Sequence, residues 1–238
     1  MLKTINLNGR QVQYDLTRKK VKNINLRIKA DRGIAVSANY DVSTREIEAF
    51  IKDNADRILR TLDRYAQTYH APRAKQYVDG ETIRILGKNL PLRVVQGNCN
   101  EVKCDDYSIL LRVKDPNDFA LKEKTVAKWM HSYCREVIDL LCRRMYPMFR
   151  PYGIPFPEIR LRKMVSCWGN CRSKRNVLTF NTMLIKTPIP CIEYVIVHEF
   201  THFLQPNHSA RFYSQMAAFM PDWQQRKTLL DTYHCHLE

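Results

Sequence analysis

Short runs in the N-terminal part of the chain alternate apolar and polar residues. Alternation over four to eight residues is typical of strands with one buried face. It predicts three strands, at 11–16, 24–29 and 34–38. Ser43 and Glu46 then have the spacing of a capping box, and apolar residues at helical spacing predict a helix near 44–65. The chain therefore begins with a β-rich region that contains one helix.

Strand-like runs return after a proline-containing linker at 70–75. Asp79-Gly80 predicts a hairpin turn, and further strands are predicted at 83–86, 92–95 and 107–113. Asp115-Pro-Asn-Asp118 interrupts this pattern. We therefore predict a boundary here, between a β-rich N-terminal region at 1–118 and a second domain at 119–238. No internal repeat of 20–50 residues is visible in the sequence.

The second domain is predicted to alternate helices with a small sheet. A long amphipathic helix is expected at about 122–146, with Leu140 and Leu141 on its apolar face. Strands are expected near 159–162 and 177–180, separated by a turn-rich stretch. Pro188 and Pro190 then introduce a strongly apolar helix. This order of elements predicts an α+β fold.

Composition places the chain among ordinary globular proteins. Its 238 residues are 45% hydrophobic and 26% charged, which excludes a wholly disordered or fibrous chain. No apolar run approaches the roughly 18–20 residues that cross a bilayer. The first residues lack the apolar segment of a secretory signal, so we expect a cytoplasmic protein without membrane association. Its eight cysteines are then expected to be reduced.

The apolar helix that follows Pro190 contains His198, Glu199 and His202. Burying such groups without partners is costly. The two histidines are four residues apart, so they lie on the same helix face and can hold one zinc ion. Glu199 lies beside the first ligand, where it can accept a proton from water. The His-Glu-x-x-His spacing therefore predicts a zinc peptidase with Glu199 as general base; the alternatives are a chance match and metal binding without turnover.

A catalytic zinc ion takes three protein ligands and keeps one open position. Pro206 should end the helix, and a chain reversal there could bring His208 to the metal. The alternative third ligand is a downstream carboxylate, from Asp222, Asp231 or Glu238. We favour His208, while Asp222 could orient a ligand imidazole or be a solvated turn residue.

Four cysteines offer a second place for zinc. Cys99 and Cys104 form one close pair in the sequence, and Cys167 and Cys171 form another. Neither pair has the C-x-x-C spacing of a zinc knuckle, which disfavours a structural zinc site built from the four.

The sequence resembles the YgjP-like predicted metal-dependent hydrolases, which are small zinc metallopeptidase-like proteins. The segments that carry the resemblance are Trp168-Gly169-Asn170-Cys171, Val177–Asn181, His198–His202 and Asn207-His208-Ser209. Phe212 and Pro221-Asp222-Trp223 also fit the pattern. The likeness covers most of the chain but is specific only for about 160–230. A weaker analogy connects it to SprT-like and Spartan-like proteases, which act on proteins crosslinked to DNA.

This resemblance implies a zincin-like C-terminal unit with zinc held by His198, His202 and His208 and with Glu199 as general base. It leaves open whether Trp168 and Cys171 line the cleft or belong to the core. Two positions depart from the family pattern: Cys167 replaces a basic residue and Arg175 replaces a glycine. If these positions shape the turn or hold substrate, we expect the specificity to differ from that of relatives. An oxyanion-stabilising residue is expected, and the candidates are Tyr213, Arg211 and Trp168.

The charge of the chain suggests a second hypothesis. The net charge is +15, and residues 150–186 carry eight basic side chains against one acidic. The basic residues just before the zinc helix are Arg160, Arg162, Lys163, Arg172, Lys174 and Arg175. They could hold DNA or another polyanion beside the site, as in a DNA-dependent protease, or they could form a solvated surface of only non-specific affinity. A non-proteolytic amidohydrolase is a further alternative to a protein or peptide substrate.

Overall fold

The chain divides into two compact units, Met1–Arg73 and Ala74–Glu238. The structure, a computed structural model, describes residues 2–28, 33–68 and 75–233. These residues form helices and mixed sheets, so the predicted α+β class with a β-rich N-terminal region is confirmed. Most of the predicted linker at 70–75 lies outside the described residues. No helix in the described ranges is both long enough and apolar enough to cross a bilayer.

The first unit is a four-stranded mixed sheet followed by two helices. Its elements are β1 (Leu2–Leu7), β2 (Arg10–Arg18), β3 (Asn25–Ile28), β4 (Ile34–Ala38), α1 (Thr44–Asp53) and α2 (Ala55–Thr68). The strand order is β1-β2-β4-β3, in which β2 and β4 are parallel and the other pairs antiparallel. Alternate sheet residues and apolar helix residues, among them Tyr14, Val36, Ile47 and Ile58, form its own core.

The predicted single helix at 44–65 is two helices. The capping box forms as expected: Glu46 N–H donates to Ser43 Oγ, and the Glu46 carboxylate accepts from Ser43 N–H. Asn54 ends α1, because its N–H donates to the carbonyls of Ile51 and Lys52. Its side-chain amide also donates to the carbonyl of Phe50. An asparagine that caps carbonyls in this way breaks an otherwise continuous helical pattern.

The second unit begins with a sheet of the same arrangement. Its strands are β5 (Thr82–Ile85), β6 (Lys88–Gln96), β7 (Glu101–Cys104) and β8 (Ile109–Val113). The order is β5-β6-β8-β7, again with the second and fourth strands parallel and the outer pairs antiparallel. A long helix follows in place of α1 and α2. The structure thus shows a repeated ββββ-helix arrangement that the sequence did not reveal, because the two copies share topology and burial rather than residue identity.

The two sheets also share their hairpin turn. Asn8-Gly9 joins β1 to β2 and Leu86-Gly87 joins β5 to β6, with φ of 49° and 88° in the first and 48° and 83° in the second. Two consecutive left-handed residues match the twist of the adjoining strands. The predicted hairpin turn at Asp79-Gly80 instead precedes β5. Leucine is unusual in this conformation, and its N–H is held by the carbonyl of Ile185.

The division between the units lies at 73/74, earlier than the predicted boundary at 118/119. The reason is the core: strand residues such as Leu92, Ile109 and Leu111 belong to one buried cluster with Ile138 and Ile196 from the helices that follow. The sheet at 82–113 and the C-terminal helices therefore bury each other's apolar faces and form one compact unit.

The rest of the second unit carries the candidate site. Its elements are α3 (Phe119–Met145), β9 (Glu158–Arg162), β10 (Gly169–Arg172), β11 (Val177–Asn181), α4 (Ile189–Thr201), α5 (Ala210–Phe219) and α6 (Trp223–Asp231). Strand order is β10-β11-β9, with β10 antiparallel to β11 and β9 parallel to it. α3 begins at the N-cap Asp118, and Leu140, predicted to be apolar core, is exposed while Leu141 is buried.

Strand β10 lies within the stretch that was expected to be only turns. Gly-Asn-Cys-Arg has weak strand propensity, but pairing with β11 overrides it. The Asn181 N–H donates to the Trp168 carbonyl, so alternation along an antiparallel ladder directs the N–H and C=O groups of Gly169 and Cys171 away from β11. These groups form the free edge of the sheet, and that edge faces α4.

Candidate metal centre

Three histidines converge at the C-terminal end of α4. His198 lies in the last turn of the helix, His202 is its C-cap residue, and His208 precedes Ser209, the N-cap of α5. α4 ends at Thr201, earlier than the expected break at Pro206, and the turns and bends at 202–207 lead the chain to His208. One ring nitrogen from each histidine lies within 4.8 Å of the others. Among the described residues this is the group of His, Cys, Asp or Glu side chains that could hold a metal ion.

Neighbouring groups fix the orientation of these rings. His202 Nδ1 lies 3.0 Å from the carbonyl of Gln205, so Nδ1–H donates there and leaves Nε2 as the free lone pair. His198 Nε2 and His208 Nε2 are 2.9 Å apart. The fully buried Phe212 packs against all three rings, with centroid distances of 4.8–5.0 Å. The imidazoles are therefore arranged with their nitrogens directed to one point.

Burial keeps the imidazoles of His198 and His202 neutral. It lowers the pKa of His198 to about 3, and His202, His208 and Lys227 add smaller repulsions. Burial also lowers the pKa of His202, although the hydrogen bond to Gln205 opposes this shift. A neutral imidazole is the form that binds a metal, so no proton has to leave His198 or His202 before a cation enters.

Glu199 lies under strand β10. It is 5% exposed, and the backbone N–H of Cys171 donates to its carboxylate. A Cβ atom added to Gly169 would lie 2.6 Å from Glu199 Oε1, so only glycine leaves room for the carboxylate here. Burial raises the pKa of Glu199 to about 8, and the Cys171 hydrogen bond opposes that rise. A cation held by the adjacent histidines would favour the ionised carboxylate further.

These groups open into a cleft of about 490 Å³. One wall comes from the chain at and around β10, the floor from α4, and the opposite wall from α6. The lining residues are Cys167–Cys171, Ser173, Tyr194, Val195, His198, Glu199, His202, Pro206, His208, Lys227, Leu230 and Asp231. The cleft therefore combines a three-histidine cluster, a buried carboxylate and a free sheet edge in one space.

Comparison with protein families agrees with this geometry. The model of a family described as YgjP-like, metallopeptidase domain, matches residues 22–233. The chain belongs to the YgjP-like family. The resemblance inferred from the sequence motifs is thereby confirmed, and a metal-dependent hydrolase is indicated. No curated protein matches the chain.

The YgjP-like structure brings some predicted residues into the site and places others elsewhere. Trp168 and Cys171 both line the cleft, and Trp168 is also largely buried. The carboxylate of Asp222 pairs with Arg226 Nε at 2.8 Å, on the first turn of α6, and not with a histidine. Tyr213 stacks between Trp223 and His208, but neither it nor Arg211 lines the cleft.

The alternative ligand sets are not assembled. Asp231 lines the cleft but pairs with Lys227 at 2.9 Å, and Glu238 lies outside the described residues. The four cysteines considered for a structural zinc site do not come together as a group within the described ranges. Each of the seven described cysteines is a free thiol.

Sequence reasoning missed several residues that shape the YgjP-like site. Tyr194 lies one helical turn before His198 and faces Lys227 and Asp231 across the cleft. Asn181 is fully buried and holds the loop that leads into β10, donating to the carbonyls of Met164 and Cys167. For Tyr194, the helical spacing to His198 was a usable signal in the sequence. For Asn181, the only signal was its place in a family motif.

Proposed function

We propose that this YgjP-like protein is a zinc-dependent peptidase in which His198, His202 and His208 hold the metal and Glu199 is the general base. The observation that carries the proposal is the convergence of three histidine nitrogens within 4.8 Å beside a buried carboxylate in an open cleft. Three imidazoles with one open position are a ligand set that catalytic zinc uses.

The residues present fit such a metal. All three donors are imidazole nitrogens, and the Gln205 carbonyl holds His202 with Nε2 available. Tetrahedral coordination at about 2.1 Å needs ligand nitrogens about 3.4 Å apart, so the 2.9 Å between His198 and His208 requires only a small opening. Zinc bound there would supply Lewis acidity, polarising a carbonyl and lowering the pKa of water to about 7.

Glu199 supplies the proton transfers. Its carboxylate accepts a proton from the water that attacks the scissile carbonyl and then donates it to the leaving amine. The Cys171 N–H and the close approach of Gly169 hold this carboxylate in place against α4. Tyr194 and Trp168 line the same cleft and are the candidates for stabilising the oxyanion, whereas the other two residues considered from the sequence, Tyr213 and Arg211, do not line it.

The free edge of β10 supports a polypeptide substrate. Gly169 N–H and the carbonyls of Gly169 and Cys171 are directed from this edge toward the cleft. Groups of this kind bind an extended main chain as an additional strand. A peptide aligned there would pass directly over Glu199.

Metal analysis of the untagged full chain tests the ligand assignment. We expect about one zinc per wild-type chain and loss or weakening of binding in His202→Ala and in His208→Ala. The exposed His131 on α3 provides a matched control, and His131→Ala should bind zinc as the wild type does. Wild-type protein that takes up no stoichiometric zinc when it is offered would refute the centre.

The rate of peptide cleavage tests the assignment of Glu199 as general base. Glu199→Gln should retain zinc and lose at least about 100-fold in kcat on any peptide that the wild type cleaves. Cleavage by this variant at the wild-type rate would contradict the assignment. A parallel screen of peptides against non-peptide amides distinguishes the peptidase from a non-proteolytic amidohydrolase.

A further inference from the structure

An exposed group of cations continues directly from the strand that lines the cleft. Arg172 ends β10, and Lys174 and Arg175 lie in the turn that follows it. All three side chains are exposed. We call these three residues the basic strip. In the described part of the chain no acidic side chain lies within ion-pair distance of them, whereas nearby Arg160 is paired with Glu158 at 2.7 Å.

The basic strip is close to the proposed reacting centre. Cys171, whose N–H donates to the Glu199 carboxylate, immediately precedes it, and Ser173, which stands between Arg172 and Lys174, lines the cleft. A strand rises about 3.3 Å per residue and a 3₁₀ turn about 2 Å, so the strip extends to about 10 Å from Cys171 along the chain. That length corresponds to about three residues of an extended peptide.

We propose that the basic strip recognises acidic side chains of a polypeptide substrate, located within about three residues to one side of the cleaved bond. The proposal rests on the peptidase function above and names its substrate class. Main-chain pairing along an edge strand is largely independent of sequence, so charged side chains beside it supply the selection. The two arginines can pair with carboxylates bidentately, and the lysine adds a point charge.

The surroundings favour an acidic peptide over a nucleic acid. Proteins that bind single-stranded nucleic acid combine cations with aromatic rings on which the bases stack. On the outward face of this sheet the partners in register are Arg160, Thr179 and Asn170, and the aromatic residue there, Trp168, is largely buried. The free edge of β10 matches a peptide main chain and has no equivalent use for a phosphate backbone.

Binding to a zinc-loaded, full-length Glu199→Gln variant tests the proposal without relying on turnover. The probes are a labelled extended peptide rich in Asp and Glu, the same peptide with Asn and Gln, and a labelled oligothymidylate. Fluorescence anisotropy should show preference for the acidic peptide. Neutralising the strip (Arg172→Gln, Lys174→Gln and Arg175→Gln together) should weaken that binding about 10-fold, in line with three exposed ion pairs.

The control changes the net charge equally at residues of the second unit that do not line the cleft. It combines Lys114→Gln with Lys124→Gln and Lys128→Gln, all at exposed positions. We expect this control variant to bind the acidic peptide with an affinity within about twofold of that of the protein whose basic strip is unsubstituted. An equal loss in both triple variants would show that only bulk charge matters and would overturn the proposal. Stronger binding of oligothymidylate through the strip would overturn it in favour of nucleic acid.

Cleavage by the wild type distinguishes a failure of the basic-strip proposal from a failure of the proposed peptidase function. Wild-type protein should cleave the acidic peptide with kcat/KM about 10-fold above that of its neutral counterpart, and the strip variant should lose this preference while still cleaving the neutral peptide. Cleavage of both peptides at equal rates would refute the strip and leave the peptidase standing. Selective binding of the acidic peptide without cleavage of any peptide would refute the peptidase. The assignment of acidic peptides as ligands of the basic strip would then still stand.

Discussion

Gly169 shows how a single residue without a side chain can control the proposed base. Its α-carbon lies so close to Glu199 that an added methyl group would meet the methylene Cγ and the carboxylate oxygen Oε1 of that side chain at 2.6 Å. The neighbouring atoms are held from both sides, by α4 and by the pairing of β10 with β11. The carboxylate, and not the strand, is therefore the group that would have to move.

We predict that Gly169→Ala retains zinc but loses at least about 10-fold in kcat, because displacement of a proton-transfer group by about 1 Å is enough to impair it. Thr179→Ala, on the central strand of the same sheet, controls for general disturbance and should keep near-normal kcat. Metal content and peptide cleavage measured side by side decide the matter. Normal kcat in Gly169→Ala would show that Glu199 tolerates the displacement.

The residues of the proposed centre differ in how far the sequence could predict them. His198, Glu199 and His202 follow from spacing along one helix, which is a local property. His208 needed in addition only that the helix end before Pro206, and it ends at Thr201. The contact between Gly169 and Glu199 could not be predicted, because it joins residues thirty positions apart and depends on how β10 packs on α4.

At the scale of elements, the loop before β10 depends on one buried side chain. The Asn181 amide donates to the carbonyls of Met164 and Cys167 at 2.7 and 2.9 Å, and its oxygen accepts from the N–H of Met183 at 3.1 Å. Asn181 also donates its backbone N–H to the carbonyl of Trp168 at 2.8 Å. This residue therefore joins the end of β11 to the wall of the cleft.

Asn181→Ala should lower the free energy of unfolding by about 2–3 kcal/mol, because it removes a fully buried amide and leaves two partly buried carbonyls without donors. Asn98→Ala, at an exposed loop position, should change it by less than about 0.5 kcal/mol. Denaturant unfolding of both variants beside the wild type measures the difference. Equal stability of the two variants would show that water replaces the lost hydrogen bonds.

Elements with strong local signals were predicted well, and elements that depend on partners were not. The apolar periodicity of α3 and the capping box of α1 predicted both helices. Strand β10 was missed because its residues gain strand conformation only by pairing with β11. The turn at Leu86-Gly87 was missed because a left-handed leucine is unusual, and its N–H is bound by a carbonyl about a hundred residues later.

At the scale of the whole molecule, the position of the unit boundary follows from how much apolar surface each part can bury alone. The first unit has its own core, and the second unit has another that unites the strands at 82–113 with α3 and α4. The sequence placed the boundary where the β pattern stops, at 118/119. A change of secondary structure is not a domain boundary when the strands and the following helices cover each other's apolar faces.

Two fragments test this boundary together with the location of the site. Residues 74–238 contain the whole second core and all three histidines, so this fragment should unfold cooperatively and bind about one zinc. Residues 119–238 keep the histidines but lose Leu92, Ile109 and Leu111, which are fully buried in the same core. We expect this shorter fragment to lack a cooperative transition and to bind zinc at least about 10-fold more weakly, because removing several large buried side chains costs more than the roughly 5–15 kcal/mol that stabilises a domain.

Calorimetry and metal titration of both fragments measure the two properties. Cooperative unfolding and full zinc affinity at 119–238 would place the boundary at 118/119 after all, and would show that the sheet at 82–113 is dispensable for the centre.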